Sequence, residues 1–285
     1  MQVKGVGFAT LLVAVLACSG ADSAGIPPVP PPPPPPNSPP PSGVGRVDQF
    51  GTFHSNLLNN DRAVHVYLPA GYDTGSERYP VLYVHDGLDA FGGEMNYDRT
   101  ATTLIASGAI RPLIIVAVDQ IVAIKDHEYT PFPGFGGQLY ARALVEELKP
   151  QIDSRYRTRP GPDDTGVGGK SEGGLISWYM ALAYPGVFHV MFAESSPLAW
   201  GNNFIPNMVQ NFPGKVPIRI WYDRGTNDGE DIHHHADSLI RNSLLAKGEI
   251  EGVDFKYFLA PGATHSEGAF AARVDPILRF LYPRN

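Results

Sequence analysis

Near the middle of the chain, Gly168-Gly169-Lys170-Ser171-Glu172-Gly173-Gly174 sets a serine among glycines in the pattern G-x-S-x-G. A serine so placed becomes a nucleophile when it is held on a sharp turn from a strand into a helix. Both flanks read that way, with Thr165–Gly168 strand-like and a helical pattern over Glu172–Ala183. The glycines let neighbouring backbone pass close to a strained turn. The turn also leaves Ser171 at a helix N-terminus, where unpaired amides and the helix dipole favour developing negative charge. The chemistry this predicts is attack of the Ser171 hydroxyl on a carbonyl carbon, with the Glu172 N–H donating to the resulting oxyanion. A serine beside glycines also serves as an ordinary turn or helix cap, so the reading stands on its partners.

A hydroxyl needs a base, and the base needs an acid to orient it. His265, in Pro261-Gly262-Ala263-Thr264-His265, follows the last strand-like run and precedes the last helical one. His233, His234 and His235 fall inside a helical stretch, where three consecutive side chains point in different directions and cannot share one metal; they read as helix surface. His189 precedes an apolar strand and reads as structural. The loop from Arg224 to Asp231 offers several carboxylates. Asp228 is the choice for the acid, because Gly225 and Gly229 let the loop turn around it, whereas Asp231 suits a helix N-cap and Asp223 ends a strand. A second oxyanion donor is expected after the strand Val81–His85, in Asp86-Gly87-Leu88-Asp89, where the Leu88 N–H is the candidate and His85 and Asp86 are framework. Phe91, Trp200 and Phe204 are candidates for lining an acyl pocket, and equally for core or lid packing.

These residues have to be carried by strands at Ala63–Leu68, Val81–His85, Leu113–Val118, Thr165–Gly168, Val190–Ala193, Ile218–Tyr222 and Phe255–Leu259. Several are largely apolar, as strands covered on both faces are. Helical patterns alternate with them at Tyr97–Ser107, Gln138–Ile152, Glu172–Ala183, Asp231–Ala246 and Glu267–Leu281. The alternation predicts an α/β architecture, a mostly parallel central sheet with helices on both faces. Phe50–Leu57 and the strand from Ala63, joined through Asn59-Asn60-Asp61, predict an antiparallel hairpin at one edge. The conformations of Ile121–Gly137 and Leu198–Lys215 do not follow from the pattern.

The N-terminal part has a different character. Residues 1–18 read as a signal peptide, with a short positive start and an apolar run, Val6 to Ala17, too short to span a bilayer permanently. Val15-Leu16-Ala17-Cys18 resembles the lipobox of bacterial lipoproteins, which predicts lipid attachment at Cys18; the alternative is an ordinary signal peptide cleaved near Ala21 or Ala24. Residues 19–45 are a proline-rich linker, with an unbroken run from Pro30 to Pro36 that extends as polyproline II. Residues 46–285 are then one catalytic domain. The expected location is outside the cytoplasm, anchored in the periplasm or at the cell surface, with the lipid anchor as the sole membrane contact. A net charge of −7 without any basic cluster argues against nucleic acid as a partner.

The chain resembles the esterase D / enterochelin esterase / feruloyl esterase group of the α/β-hydrolases. The resemblance is carried by Tyr79 to Leu88 (YPVLYVHDGL), Glu128-Tyr129-Thr130-Pro131, Leu144 to Pro150, Gly168–Gly174 and Gly225–Asp228, and covers about Gln49 to Tyr282. It implies the α/β-hydrolase fold and a serine esterase using a Ser-His-Asp triad. The aspartate of the group's Gly-Thr-x-Asp loop carries over onto Asp228, and the histidine after the last strand onto His265. The Asp-Gly-Leu segment is also similar to that of mycolyltransferases, whose leucine amide serves the oxyanion hole, matching Leu88. Implied substrates are feruloyl or acetyl esters of polysaccharide, or the lactone of a catechol siderophore; no metal or organic cofactor is required. Glu172 departs from the apolar residue common at its position and is expected to alter specificity. Export argues against the glutathione thioesters that cytoplasmic members hydrolyse. Two competing functions keep the fold, a cell-surface acyltransferase and a non-catalytic surface binding module.

Overall fold

The computed structural model describes residues 43–229 and 231–284. The expected leader, Cys18 and all but the last residues of the proline-rich linker lie outside the described residues. Eight strands form one sheet in the order β1-β2-β4-β3-β5-β6-β7-β8. They are β1 (Arg46–Ser55), β2 (Asn60–Leu68), β3 (Val81–His85), β4 (Ile114–Val118), β5 (Thr165–Lys170), β6 (Val190–Glu194), β7 (Arg219–Gly225) and β8 (Phe255–Ala260). β1 and β2 make the antiparallel edge, β2 runs antiparallel to β4, and every pairing from β4 onward is parallel.

Alternation along the inner strands divides the core between the two faces of the sheet. Val81 and Tyr83 face one layer, with Trp178, Ile176, Ile240 and Leu244, whereas Leu82 and Val84 face the other, with Tyr97, Leu104, Ile277 and Leu278. β3 and β4 are buried along their whole length, which is why their sequences read as continuous apolar runs. The helices are α1 (Gly87–Ala90), α2 (Tyr97–Ala106), α3 (Lys125–Tyr129), α4 (Gly137–Ala143), α5 (Lys149–Arg155), α6 (Glu172–Ala183), α7 (Trp200–Asn211), α8 (Asp231–Ala246), α9 (Glu267–Ala271) and α10 (Val274–Leu281). None of the helices among the described residues is long and apolar enough to cross a membrane.

Two helical expectations change in detail, and one segment left open by the pattern contains a helix. The pattern over Gln138–Ile152 is interrupted, because α4 passes into a wide turn at Leu144–Leu148 before α5. Pro150 sits in the first turn of α5; lacking an N–H, it cannot continue a regular ladder, and the widened turn absorbs the defect. The pattern over Glu267–Leu281 breaks into α9 and α10 at Ala272 and Arg273, where the Arg273 side chain turns into the core to meet acids described below. The stretch Leu198–Lys215 contains α7, whose first turn is left-handed at Gly201, Asn202 and Asn203, with φ of 60°, 57° and 58°. Glycine and asparagine tolerate that region best, so a left-handed turn there masks a helix-start signal.

Candidate active site

β5 delivers Ser171 directly from the sheet. Its backbone has φ 51° and ψ −123°, a strained geometry for a residue with a side chain, and its N–H donates to the Glu194 carbonyl on β6 at 2.7 Å. The tightness of the turn explains Gly169, where a Cβ would lie 2.8 Å from the carbonyl carbon of Gly173. α6 starts at the next residue, so the Glu172 N–H belongs to the helix's first turn and has no intrahelical acceptor.

The loop after β8 brings the His265 ring to Ser171, with Nε2 3.1 Å from Oγ. Nδ1 of the same ring lies 2.8 Å from Oδ1 of Asp228. One tautomer satisfies both contacts: Nδ1–H donates to the carboxylate, and Nε2 accepts from the serine hydroxyl. The loops carrying Asp228 and His265 are stitched together by backbone. Thr226 N–H donates to Ala260 O at 2.9 Å, Asn227 N–H to Ala263 O at 3.0 Å, and Gly262 N–H to the Thr226 hydroxyl at 2.7 Å. Gly225 is needed for this approach, since a Cβ there would fall 2.1 Å from the Ala263 carbonyl oxygen. Asp228 is buried, and burial opposes its charge; hydrogen bonding to His265 and Ser195, with the nearby positive charge of Arg224, outweighs that and holds its pKa below the ordinary carboxylate value.

The expected oxyanion donors are brought together by strand register. Val84 of β3 pairs with Gly168 of β5, and Leu88 and Glu172 each lie four residues beyond that pair. The N-termini of α1 and α6 therefore emerge side by side at the C-terminal edge of adjacent parallel strands. Leu88, second residue of α1, keeps an N–H without an intrahelical acceptor while its side chain is exposed. Asp86 enters this helix in the left-handed region, φ 61°, and is tied by its Oδ1 to Lys125 Nζ at 2.8 Å and by its N–H to the Tyr129 hydroxyl at 3.3 Å. His85 beneath it is buried against Tyr140, 3.0 Å from Nδ1 to the hydroxyl; burial, with Lys125 and Arg62 nearby, lowers its pKa to about 3 and keeps the ring neutral. Both residues are framework of the loop.

Glu172 is partly buried beside α3. Burial comes first among the causes that raise its carboxyl pKa, followed by the negative charge of Asp126, with Lys125 pulling the other way. The three aromatic candidates diverge. Phe204 on α7 meets Phe132 edge-on at 5.1 Å, and Phe132 in turn lies over Gly201 and 6.3 Å from Phe135. Trp200 is exposed at the start of α7, whereas Phe91 packs against the core layer of α2 and α10. His189 bonds Asp163 at 2.6 Å and the Pro185 carbonyl at 2.7 Å, at the start of β6 and so at the opposite strand end from Ser171. His233 accepts from the Ala199 N–H at 3.4 Å, and His234 and His235 lie on the helix surface with partial to full exposure. No group of three or more metal-ligating side chains occurs among the described residues.

Sequence reasoning missed the buried charges beneath the site. Arg224 donates to Asp237 of α8 at 2.6 Å and to the Ser196 carbonyl, pinning the acid loop to that helix. Arg273 reaches Glu194 at 3.3 Å, the Ser195 hydroxyl at 3.2 Å and Asp223 at 3.3 Å. Lys170 contacts Asp89 at 3.5 Å and forms a close ion pair with Glu267. The available signal was a charged residue at or near the C-terminal end of three inner strands, Lys170 of β5, Glu194 of β6 and Asp223 of β7, where covered strands are otherwise apolar.

Comparison with known proteins places the fold and the family. The chain is 25% identical over 252 residues to the uncharacterized protein YbbA of Bacillus subtilis, covering 82% of this chain and 98% of that one. It is 29% identical over 223 residues to an endo-1,4-beta-xylanase/feruloyl esterase of Xylanibacter ruminicola, covering 75% of this chain but only 29% of that longer protein. Among solved structures, a ferulic acid esterase superposes with a TM-score of 0.70 at 19% identity, over 84% of this chain and 99% of that one, a likeness of fold. The Esterase family matches residues 55–281, nearly all of the sheet and its helices, and the chain belongs to that family as a carboxylic ester hydrolase of α/β-hydrolase fold.

Proposed function

We propose that the protein is an exported serine esterase that works through an acyl-enzyme, with Ser171 as nucleophile, His265 as base and Asp228 as orienting acid. The observation that carries this reading is the continuous relay from Asp228 Oδ1 to His265 Nδ1 at 2.8 Å and from His265 Nε2 to Ser171 Oγ at 3.1 Å. In the first half-reaction the Ser171 oxygen bonds the ester carbonyl carbon while its proton passes to His265 Nε2. The oxyanion is met by the N–H groups of Leu88 and Glu172, and His265 returns the proton to the departing alcohol. Water then attacks the acyl-enzyme with His265 again as base, releasing the acid and restoring the serine. Asp228 stabilises the imidazolium without taking its proton.

The substrates proposed are feruloyl or acetyl esters of polysaccharide, or the lactone of a catechol siderophore, with Phe204 and its partner Phe132 proposed to meet the acyl group. The leader at 1–18, lipid attachment at Cys18 and a spacer at 19–45 would hold the catalytic domain of 46–285 away from a membrane. The test is hydrolysis of a short-chain nitrophenyl ester and of methyl ferulate by the purified protein beside Ser171→Ala. Activity lost in the variant supports the serine esterase, and the ratio of the two rates ranks the acyl classes. Turnover only when a sugar hydroxyl is added would assign the acyltransferase instead, and a folded wild type inert in both assays would leave a binding module.

A further inference from the structure

The residue immediately before the nucleophile is a buried lysine with two carboxylates at its tip. Lys170 ends β5, whose alternation places it on the same face as Gly166 and Gly168. Those glycines are overlaid by Tyr282 and Phe192, so Lys170 supplies the long side chain of that face. Its ammonium lies 3.5 Å from Asp89 Oδ2 in α1 and in close ion-pair contact with Glu267 in α9. It also stands 5.9 Å from the ring of Phe270, which meets the His265 ring edge-on at 5.1 Å. Glu194, its register partner on β6, and Asp86 both feel its charge.

The two carboxylates occupy telling positions. Asp89 follows Leu88 in the short helix that presents the expected oxyanion donor, and Glu267 lies two residues after His265. One ammonium thus holds the loop of the electrophilic site and the loop of the base, from the strand that carries the nucleophile. Burying a lysine is costly, and an apolar residue would fill the same space against Phe270 more cheaply. We propose that Lys170 is a positioning residue for ester hydrolysis, bracing α1 through Asp89 and the His265 loop through Glu267 so that oxyanion donor and base meet Ser171 in register. This inference rests on the serine-esterase reading and extends it to a residue that touches no reacting atom.

The test compares wild type, Lys170→Met, Lys170→Arg and Glu267→Gln on a nitrophenyl ester, with competent active sites counted by phosphonate titration. Ser171→Ala run alongside checks the underlying reading separately: activity surviving in that variant sinks the serine mechanism itself. For Lys170→Met the expectation is a drop in kcat of about 10- to 100-fold per titrated site, KM changed less than about threefold, and arylboronate affinity weakened in parallel with kcat. Lys170→Arg recovers most of the loss, because it keeps a charge that reaches both acids. Glu267→Gln, at a partly exposed position that tolerates change, removes one brace and loses part of the rate even if Lys170→Met folds poorly. Unchanged kcat per titrated site in both Lys170→Met and Glu267→Gln would overturn the proposal, as would a loss in Lys170→Met confined to the number of titratable sites.

Discussion

At the residue scale the proposed mechanism makes the three side chains of the relay one device, so their removals should not add. Ser171→Ala and His265→Ala are each expected to lower kcat by about 10⁴-fold or more, with the double variant little worse than either alone. Steady-state kinetics on one nitrophenyl ester checks this, and multiplicative losses would contradict a shared role. Glu172 makes a different prediction. Its pKa is raised, by burial first and Asp126 second, so it gives up its proton at higher pH than an ordinary glutamate, and only then would a negative charge stand beside the proposed oxyanion site. Glu172→Gln should therefore gain on wild type in kcat/KM as pH rises, by about two- to tenfold, on the order of 1 kcal/mol of charge repulsion removed. A variant-to-wild-type ratio that stays flat from pH 5 to 8 would show that the carboxylate points its charge elsewhere.

At the scale of elements, the Asp228 loop depends on its anchorage to α8. Arg224 and Asp237 are both buried, bonded at 2.6 Å, and Arg224 also caps the Ser196 carbonyl. Arg224→Met leaves Asp237 without its cation in the core and should cost about 3 to 5 kcal/mol in urea unfolding, as breaking one side of a buried pair does. The turn that opens α7 supports the Phe132–Phe204 pair proposed to meet the acyl group. A Cβ at Gly201 would lie 2.8 Å from the Phe132 ring, at a φ of 60°. Gly201→Ala is expected to destabilise by about 1 to 2 kcal/mol and, by displacing Phe132 against Phe204, to raise KM for methyl ferulate more than for an acetyl ester.

Across the whole molecule, a line of charges crosses the sheet under the site. Lys170 pairs in register with Glu194, and Glu194 with Asp223, on three adjacent parallel strands, with Arg273 ion-paired to both acids. Burial pushes Asp223 up to about 7, with Arg273 opposing, and burial with the neighbouring Asp223 charge raises Glu194 as well. An acid whose pKa is higher folded than unfolded contributes stability that is full below its unfolded pKa and is lost as pH climbs through the folded one. The window runs from about 4 to about 7, so the protein should be more stable near pH 5 than near pH 8, by on the order of 1 to 3 kcal/mol from this group. Urea titrations at the two pH values test it, and Asp223→Asn should flatten the difference; a wild type that is equally stable at both would place the proton elsewhere.

What the sequence determined by itself is local or periodic. The alternation of apolar strands and helices specified a mostly parallel sheet, and the glycines around Ser171 specified a strand-turn-helix, because both depend on backbone sterics and burial within a short window. The positions of His265 after the last strand and Asp228 after β7 followed from chain order. The tertiary structure decided which charges are buried and whom they meet: Lys170 with Glu267, Arg273 with Glu194 and Asp223, Arg224 with Asp237. Those partners lie 97, 79, 50 and 13 residues apart by their numbering, and no local pattern encodes them. The left-handed opening of α7 and the break at Arg273 were likewise settled by contacts from distant elements, Phe132 in one case and the acids of β6 and β7 in the other. Periodicity records which face of an element is buried, whereas the pairing of ions across a sheet depends on strand register and depth, which exist only once the chain has folded.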